Sequence, residues 1–148
     1  MIDLSFTASG SVDLVISMSA LGYVEDFEKV CSEVSRVLKN GGRFVFSTTH
    51  PVADCVAATE LFPEENAPPN YSYRGPITWK WSQDDDYIFT TYRRQLSDFV
   101  NSLARNGLMI KRMEELFPIK GVCFDNEKER EVRTRFPSVL VVDAQKQS

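Results

Sequence analysis

Two short apolar runs flanking one amphipathic helix constrain the fold of this chain more than anything else in it. Val12-Asp13-Leu14-Val15-Ile16-Ser17 follows the turn-forming Ser9-Gly10-Ser11 and is apolar at nearly every position. A strand with one wet face alternates, whereas a strand covered on both faces does not, so this run predicts a strand within a parallel sheet. Gly42 to Thr48, reading GRFVFST, is apolar on both faces in the same way. Between the two runs, Phe27, Val30, Cys31, Val34, Val37 and Leu38 recur at helical spacing, with Asp26 placed to cap the helix and Asn40-Gly41 placed to stop it. Strand, helix and strand with short joints make a βαβ unit with a right-handed crossover.

Downstream of this unit the pattern dissolves. His50 to Pro76 contains prolines 51, 63, 68, 69 and 76, a stretch too long for an ordinary structural loop, which predicts a lid or cap. Ile77 to Trp81 and Tyr87 to Tyr92 then read as a hairpin around the polar Ser82-Gln83-Asp84-Asp85-Asp86. Leu96, Phe99, Val100 and Leu103 mark a second amphipathic helix, with Ser97 as candidate cap and Gly107 as its stop. Leu108 to Glu114 and Ser138 to Ala144 complete the sheet strands, and the alternating charges of Asp125 to Arg135 read as a solvated helical turn or loop. The expected organisation is one α/β domain over residues 1–148, with the sheet and helices in 1–49 and 93–148 and a lid or hairpin insertion over 50–92.

The scarce residues remove whole classes of chemistry. A single histidine, His50, excludes His clusters for zinc and paired His relays, and Cys31, Cys55 and Cys123 form no Cys-x-x-Cys unit, so no metal site is expected. Neither G-x-G-x-x-G nor G-x-x-x-x-G-K-[ST] occurs. A net charge of -4 provides no field for phosphate backbones or anionic lipid. No apolar run approaches the length of a spanning helix, and the first residues lack the build of a signal peptide. The expectation is a cytoplasmic protein with neither nucleic acid nor membrane as a partner.

Three segments then read together as a known pattern. Val12 to Ser17, Ala20-Leu21-Gly22-Tyr23-Val24-Glu25-Asp26, and the run from Arg36 through Gly41-Gly42 to Ser47 resemble the second half of class I S-adenosylmethionine-dependent methyltransferases. Further on, His50-Pro51, Tyr92 to Asp98, Asn106-Gly107-Leu108 and Arg135 to Val142 resemble a small-molecule branch of the same family. The resemblance covers nearly the whole chain. It implies half of a doubly wound, Rossmann-like sheet in the family's strand order 4-5-7-6, with the last strand antiparallel. It also implies S-adenosylmethionine as cofactor, although the glycine-rich turn and the ribose-binding acid of the family would both lie before Met1.

The site expected from this pattern lies beyond the carboxyl ends of the strands, where ligands bind in open α/β sheets. Ser17, Met18 and Leu21, with Ser19, would face the cofactor after the first strand, against the alternative of core filling. Thr48, Thr49 and His50 would face the crevice after the second. His50 is the candidate catalytic base, because a neutral imidazole near pH 7 can accept a proton; its alternative role is a structural hydrogen bond in a loop. Tyr92 and Arg93, with Arg94, are the candidate substrate-binding residues, since a guanidinium holds a carboxylate bidentately; the alternative is a salt bridge to Asp84, Asp85 or Asp86. Trp79 and Trp81 share a strand face and are expected to pack against the sheet.

Handedness places both helices on one side of the sheet, which leaves the other side bare. Exposing about five residues such as Val15, Val45 and Val141 forfeits roughly 1.5 to 3 kcal/mol each, on the order of a domain's whole stability. The cover would be the 50–92 segment, a second copy in a homo-oligomer, or a separately supplied N-terminal half. Two functions follow as expectations. One is methyl transfer to a small molecule once an N-terminal half completes the chain; the other is a non-catalytic remnant or partner subunit that dimerises through the exposed sheet.

Overall fold

The structure is a computed structural model that describes residues 3–56, 70–81 and 84–148. Along the chain run β1 (Val12–Met18), α1 (Phe27–Val37), β2 (Leu38–Thr49), α2 (Pro51–Val56), β3 (Gly75–Trp81), β4 (Asp84–Arg93), α3 (Leu96–Arg105), β5 (Leu108–Leu116), α4 (Glu127–Arg135) and β6 (Val139–Lys146). Four strands form a mixed sheet in the order β1-β2-β6-β5, and β3 pairs with β4 as a separate hairpin. β1 and β2 are parallel, while β6 is antiparallel to both β2 and β5. This is the strand order and the antiparallel last strand that the resemblance implied.

The βαβ unit forms as its pattern predicts, with one revision. Asp26 caps α1, accepting a hydrogen bond from the Lys29 N–H at 2.9 Å. The helix ends at Val37, however, and the strand already begins at Leu38, so Asn40-Gly41 lies inside β2 rather than terminating the helix. Leu38 is fully buried, and that burial draws the chain directly from helix into strand. Gly41 bends the strand at φ +78°, and a Cβ on Gly42 would stand 2.9 Å from the Lys39 carbonyl and 3.2 Å from that of Asp13. The glycine pair therefore serves the close passage of β2 beside β1.

α1 and α3 pack side by side on one face of the sheet, as the handedness argument requires. There Phe27 meets Phe46 and Phe99 with ring centroids 5.7 and 4.9 Å apart, above a floor of Phe44, Leu140, Val142 and Ala144. The opposite face is different. Leu14, Ile16 and Met18 on β1 are 46, 59 and 66% exposed, and Met109 on β5 is 51% exposed. Val15 corrects the expectation, because it packs toward the helices. A register irregularity between Val12 and Leu14 lets Val12 and Val15 both turn inward. Val45 and Val141 are half-buried on the open face, where Arg43 pairs with Asp143 at 2.6 Å.

The described part of the insertion carries a short helix and a hairpin. Pro51 opens α2, a first-turn position where its missing N–H costs nothing. The hairpin strands run longer than predicted, so Asp84 to Asp86 belong to β4 rather than to the turn. Residues 57–69 and 82–83, and the side chains of residues 80, 81 and 84–87, lie outside the described residues, and with them the expected Ser82-Gln83 part of the turn and the packing expected of Trp81. α3 starts at Leu96, capped by Gln95 through a capping box with Asp98, and Ser97 is its second residue, not its cap. Within the charged run 125–135, Glu127–Arg135 form α4, capped by Asn126, which accepts from the Glu129 N–H at 2.8 Å.

Candidate functional site

A cavity of about 230 Å³ opens where β1 and β2 end. Thr48 and Thr49 enter it from the last residues of β2, as expected from their place at the strand terminus. Gly22 and Tyr23 contribute from the turn after β1, and Trp79, Phe89, Thr91 and Tyr92 from the hairpin. Trp79 donates its Nε1–H to Thr91 Oγ1 at 2.7 Å, which fixes the indole as a wall of the cavity and not merely as packing against the sheet.

Arg93 lies in this wall with its side chain 1% exposed. Its Nε donates to Asp54 Oδ2 and its Nη2 to the Asp54 carbonyl, both at 3.2 Å. The observed partner of Arg93 is thus Asp54 of α2. Burial raises the Asp54 pKa, and the charge and hydrogen bond of Arg93 pull it back down. Asp54 had no motif to announce it: it is a lone acid on a six-residue helix.

Arg94 performs a different task. Its Nη1 donates to the carbonyls of Leu21 and Tyr92 at 3.3 and 3.2 Å, and its Nη2 to those of Val24 and, at 2.9 Å, Glu25. The guanidinium carbon also lies 5.7 Å from the Phe27 ring centroid. This one side chain ties the segment after β1 to the entry of α3. Burial holds its pKa below the ordinary arginine range.

His50 is not brought into the cavity. Its side chain is 4% exposed, Nδ1 accepts from the Val52 N–H at 3.2 Å, and Nε2 faces Glu115 Oε1 at 2.8 Å. An acceptor at Nδ1 places the proton on Nε2, so a neutral ring has both nitrogens engaged. The geometry is that of the structural alternative, joining the end of β2 to β5. The cofactor-facing set separates as well. Leu21 is buried in the hydrophobic core, the alternative of core filling that the sequence left open for it. Met18 stands on the open surface. Ser17 is half-buried within β1, and Ser19 turns the chain at φ +52°, its N–H reaching Ser47 O at 3.0 Å. Of the expected constellation, Tyr92 and Arg93 share the cavity with Thr48 and Thr49, while His50 and Met18 do not.

Residues 1–46 match a family model described as a methyltransferase domain. Among solved structures, an S-adenosylmethionine-dependent methyltransferase of Mesorhizobium loti is 28% identical with a TM-score of 0.70, over 95% of this chain and 64% of that one. This chain carries part of the class I methyltransferase fold. A candidate S-adenosylmethionine-dependent methyltransferase of Listeria monocytogenes superposes with a TM-score of 0.73 at 25% identity, over 95% of this chain and 63% of that one. An uncharacterised protein of Haemophilus influenzae is 26% identical over 110 residues, which is 70% of this chain and 42% of that protein. The chain therefore spans less than two thirds of the length of each of these relatives.

The family's cofactor is S-adenosylmethionine, and the residues present do not enclose it. Leu21 is turned into the core and Met18 outward, and the cavity reaches neither Ser17 nor Met18. Among the described residues, the cavity at the strand ends is lined by the turn after β1, the end of β2 and the hairpin, with no lining from β1 itself.

Proposed function

We propose that this chain is the C-terminal, acceptor-binding half of a methyltransferase that modifies a small molecule. In this reading the cofactor is held by an N-terminal half of the fold that these residues do not span. The observation that carries the reading is the position of the cavity at the carboxyl ends of the parallel strands, walled by Thr48, Thr49, Tyr92 and Arg93. The chain's work is positioning. A rigid aromatic wall braced by the Arg93–Asp54 pair holds an acceptor in one orientation, and orientation is a large share of what accelerates a bimolecular transfer. His50 has no part in it, because both ring nitrogens are already engaged away from the cavity.

The open sheet face supports the same reading. Leu14, Ile16 and Met18 lie exposed on an edge strand, a surface that a complete doubly wound sheet covers. It would serve equally for a non-catalytic subunit that pairs with its own copy, but such a subunit has no use for a walled cavity at the strand ends. The test is transfer of labelled methyl from S-adenosylmethionine to a small-molecule extract, comparing the protein isolated from its own cells with the 148-residue chain alone. The isolated native form is expected to transfer and the chain alone is not. A native form that transfers no methyl under any acceptor supply would overturn the proposal.

A further inference from the structure

Among the described residues, three guanidinium groups line the cavity, Arg93, Arg94 and Arg133, of which Arg93 is paired with Asp54 and Arg133 with Glu129. The hydrogen bonds of Arg94 go to backbone carbonyls, which leave its positive charge without a counter-ion in contact among those residues. Arg133 comes from α4, in the charged run whose composition suggests only a solvated surface. Its Nε donates to Glu129 Oε1 at 2.6 Å, and its two Nη groups make no hydrogen bond among the described residues. A half-exposed guanidinium with its outer fork unengaged at the rim of an aromatic-walled cavity is suited to a planar anion.

We propose that Arg133 is the anion anchor of this cavity and that the ligand is a one-ring aromatic molecule bearing a carboxylate or phosphate. The ring lies between Trp79, Phe89 and Tyr92, and the anion takes the Arg133 fork within the positive field of Arg94. A volume of about 230 Å³ limits the body to a single ring, since drug-sized ligands occupy ~300 to 1,000 Å³. The Arg93–Asp54 pair is a wall of this site, not its anion receptor, because the Arg93 fork is already spent on Asp54.

The inference rests on reading this cavity as the acceptor site, yet its test needs neither cofactor nor turnover. Nuclear magnetic resonance titrations of the 148-residue chain with phenylacetate, phenyl phosphate and the neutral phenylacetamide read binding directly. Phenylacetate is expected to bind with shifts at Thr48, Thr49 and Tyr92, and Arg133→Gln is expected to weaken it on the order of 10-fold, equal to ~1.4 kcal/mol. Phenylacetamide should bind more weakly and be indifferent to the substitution. Arg133→Lys, which keeps the charge but not the fork, should fall between. Whichever of phenylacetate and phenyl phosphate loses more on Arg133→Gln names the anion. Equal phenylacetate affinity in the original chain and the Arg133→Gln variant, or no saturable binding of either anion, would overturn the proposal whatever the methyl-transfer assay shows. Failure of that assay alone would leave the binding comparison intact.

Discussion

Replacing Arg94 with methionine tests whether one buried guanidinium holds the cavity together. Methionine keeps the apolar stem that packs near Phe27 but removes every donor to the carbonyls of Leu21, Tyr92, Val24 and Glu25. Hydrogen bonds from a charged donor contribute ~1.5 to 3 kcal/mol each. The sum is reduced by two effects: solvent can rehydrate the carbonyl of the exposed Glu25, and the burial that depresses the Arg94 pKa no longer has to be offset. A net loss of about 2 to 4 kcal/mol is expected, read as a lowered urea midpoint at unchanged slope. Arg94→Lys should recover less than half, because one ammonium cannot span carbonyls from residue 21 to residue 92. Hydrogen exchange at the Val24 N–H, which is bonded to the Leu21 carbonyl, should accelerate ahead of α1. A loss under about 1 kcal/mol, or full recovery by lysine, would refute the clamp.

Three further outcomes follow from the same structure. The Cys31 thiol is pushed up to about 12 by burial and Cys55 is buried, while Cys123 is exposed, so a thiol reagent at pH 8 should modify only Cys123 until urea is added. Glu28 is held down to about 2, chiefly by the hydrogen bond from Arg105, so its contribution is present above the ordinary glutamate pKa near 4.5 and is lost as pH falls toward 2. Because that pair is partly exposed, Glu28→Gln should flatten the acid limb of stability by less than about 1 kcal/mol, and an unchanged acid midpoint would contradict the assignment. His50→Ala should cost about 1 to 2 kcal/mol through its lost bonds to Val52 and Glu115. In the completed enzyme the same change should leave the pH dependence of turnover unmoved, whereas a vanished ionisation near neutral pH would restore His50 as a base.

The elements that could be read from the chain are those in which a local pattern and a tertiary demand coincide. The apolar period of α1 and its Asp26 cap are local, whereas the sheet order was legible only through the family resemblance. Where the reading shifted, distant contacts decided. Leu38 leaves the helix because the core claims its side chain, and Asp84 to Asp86 extend β4 although their composition suggests a turn. The site divides along the same line. Thr48, Thr49, Tyr92 and Arg93 line a cavity at the strand ends, the region to which the general rule that ligands gather there points from topology alone. His50 satisfies that rule too, yet its ring turns to Glu115, a partner 65 positions away that no spacing announces. Asp54 and Arg133 were hidden for the converse reason, one in a proline-opened helix and the other in a charged run, with only three-dimensional proximity to connect them to the cavity.

The central claim is that these residues hold the acceptor side of a methyltransferase and do not by themselves hold its cofactor. Calorimetric titration of S-adenosylmethionine into the 148-residue chain, beside the protein isolated from its own cells, tests it most directly. The account predicts saturable micromolar binding by the native form and none below about a millimolar, ~4 kcal/mol of binding free energy, by the chain alone. Micromolar binding by the chain alone would contradict it.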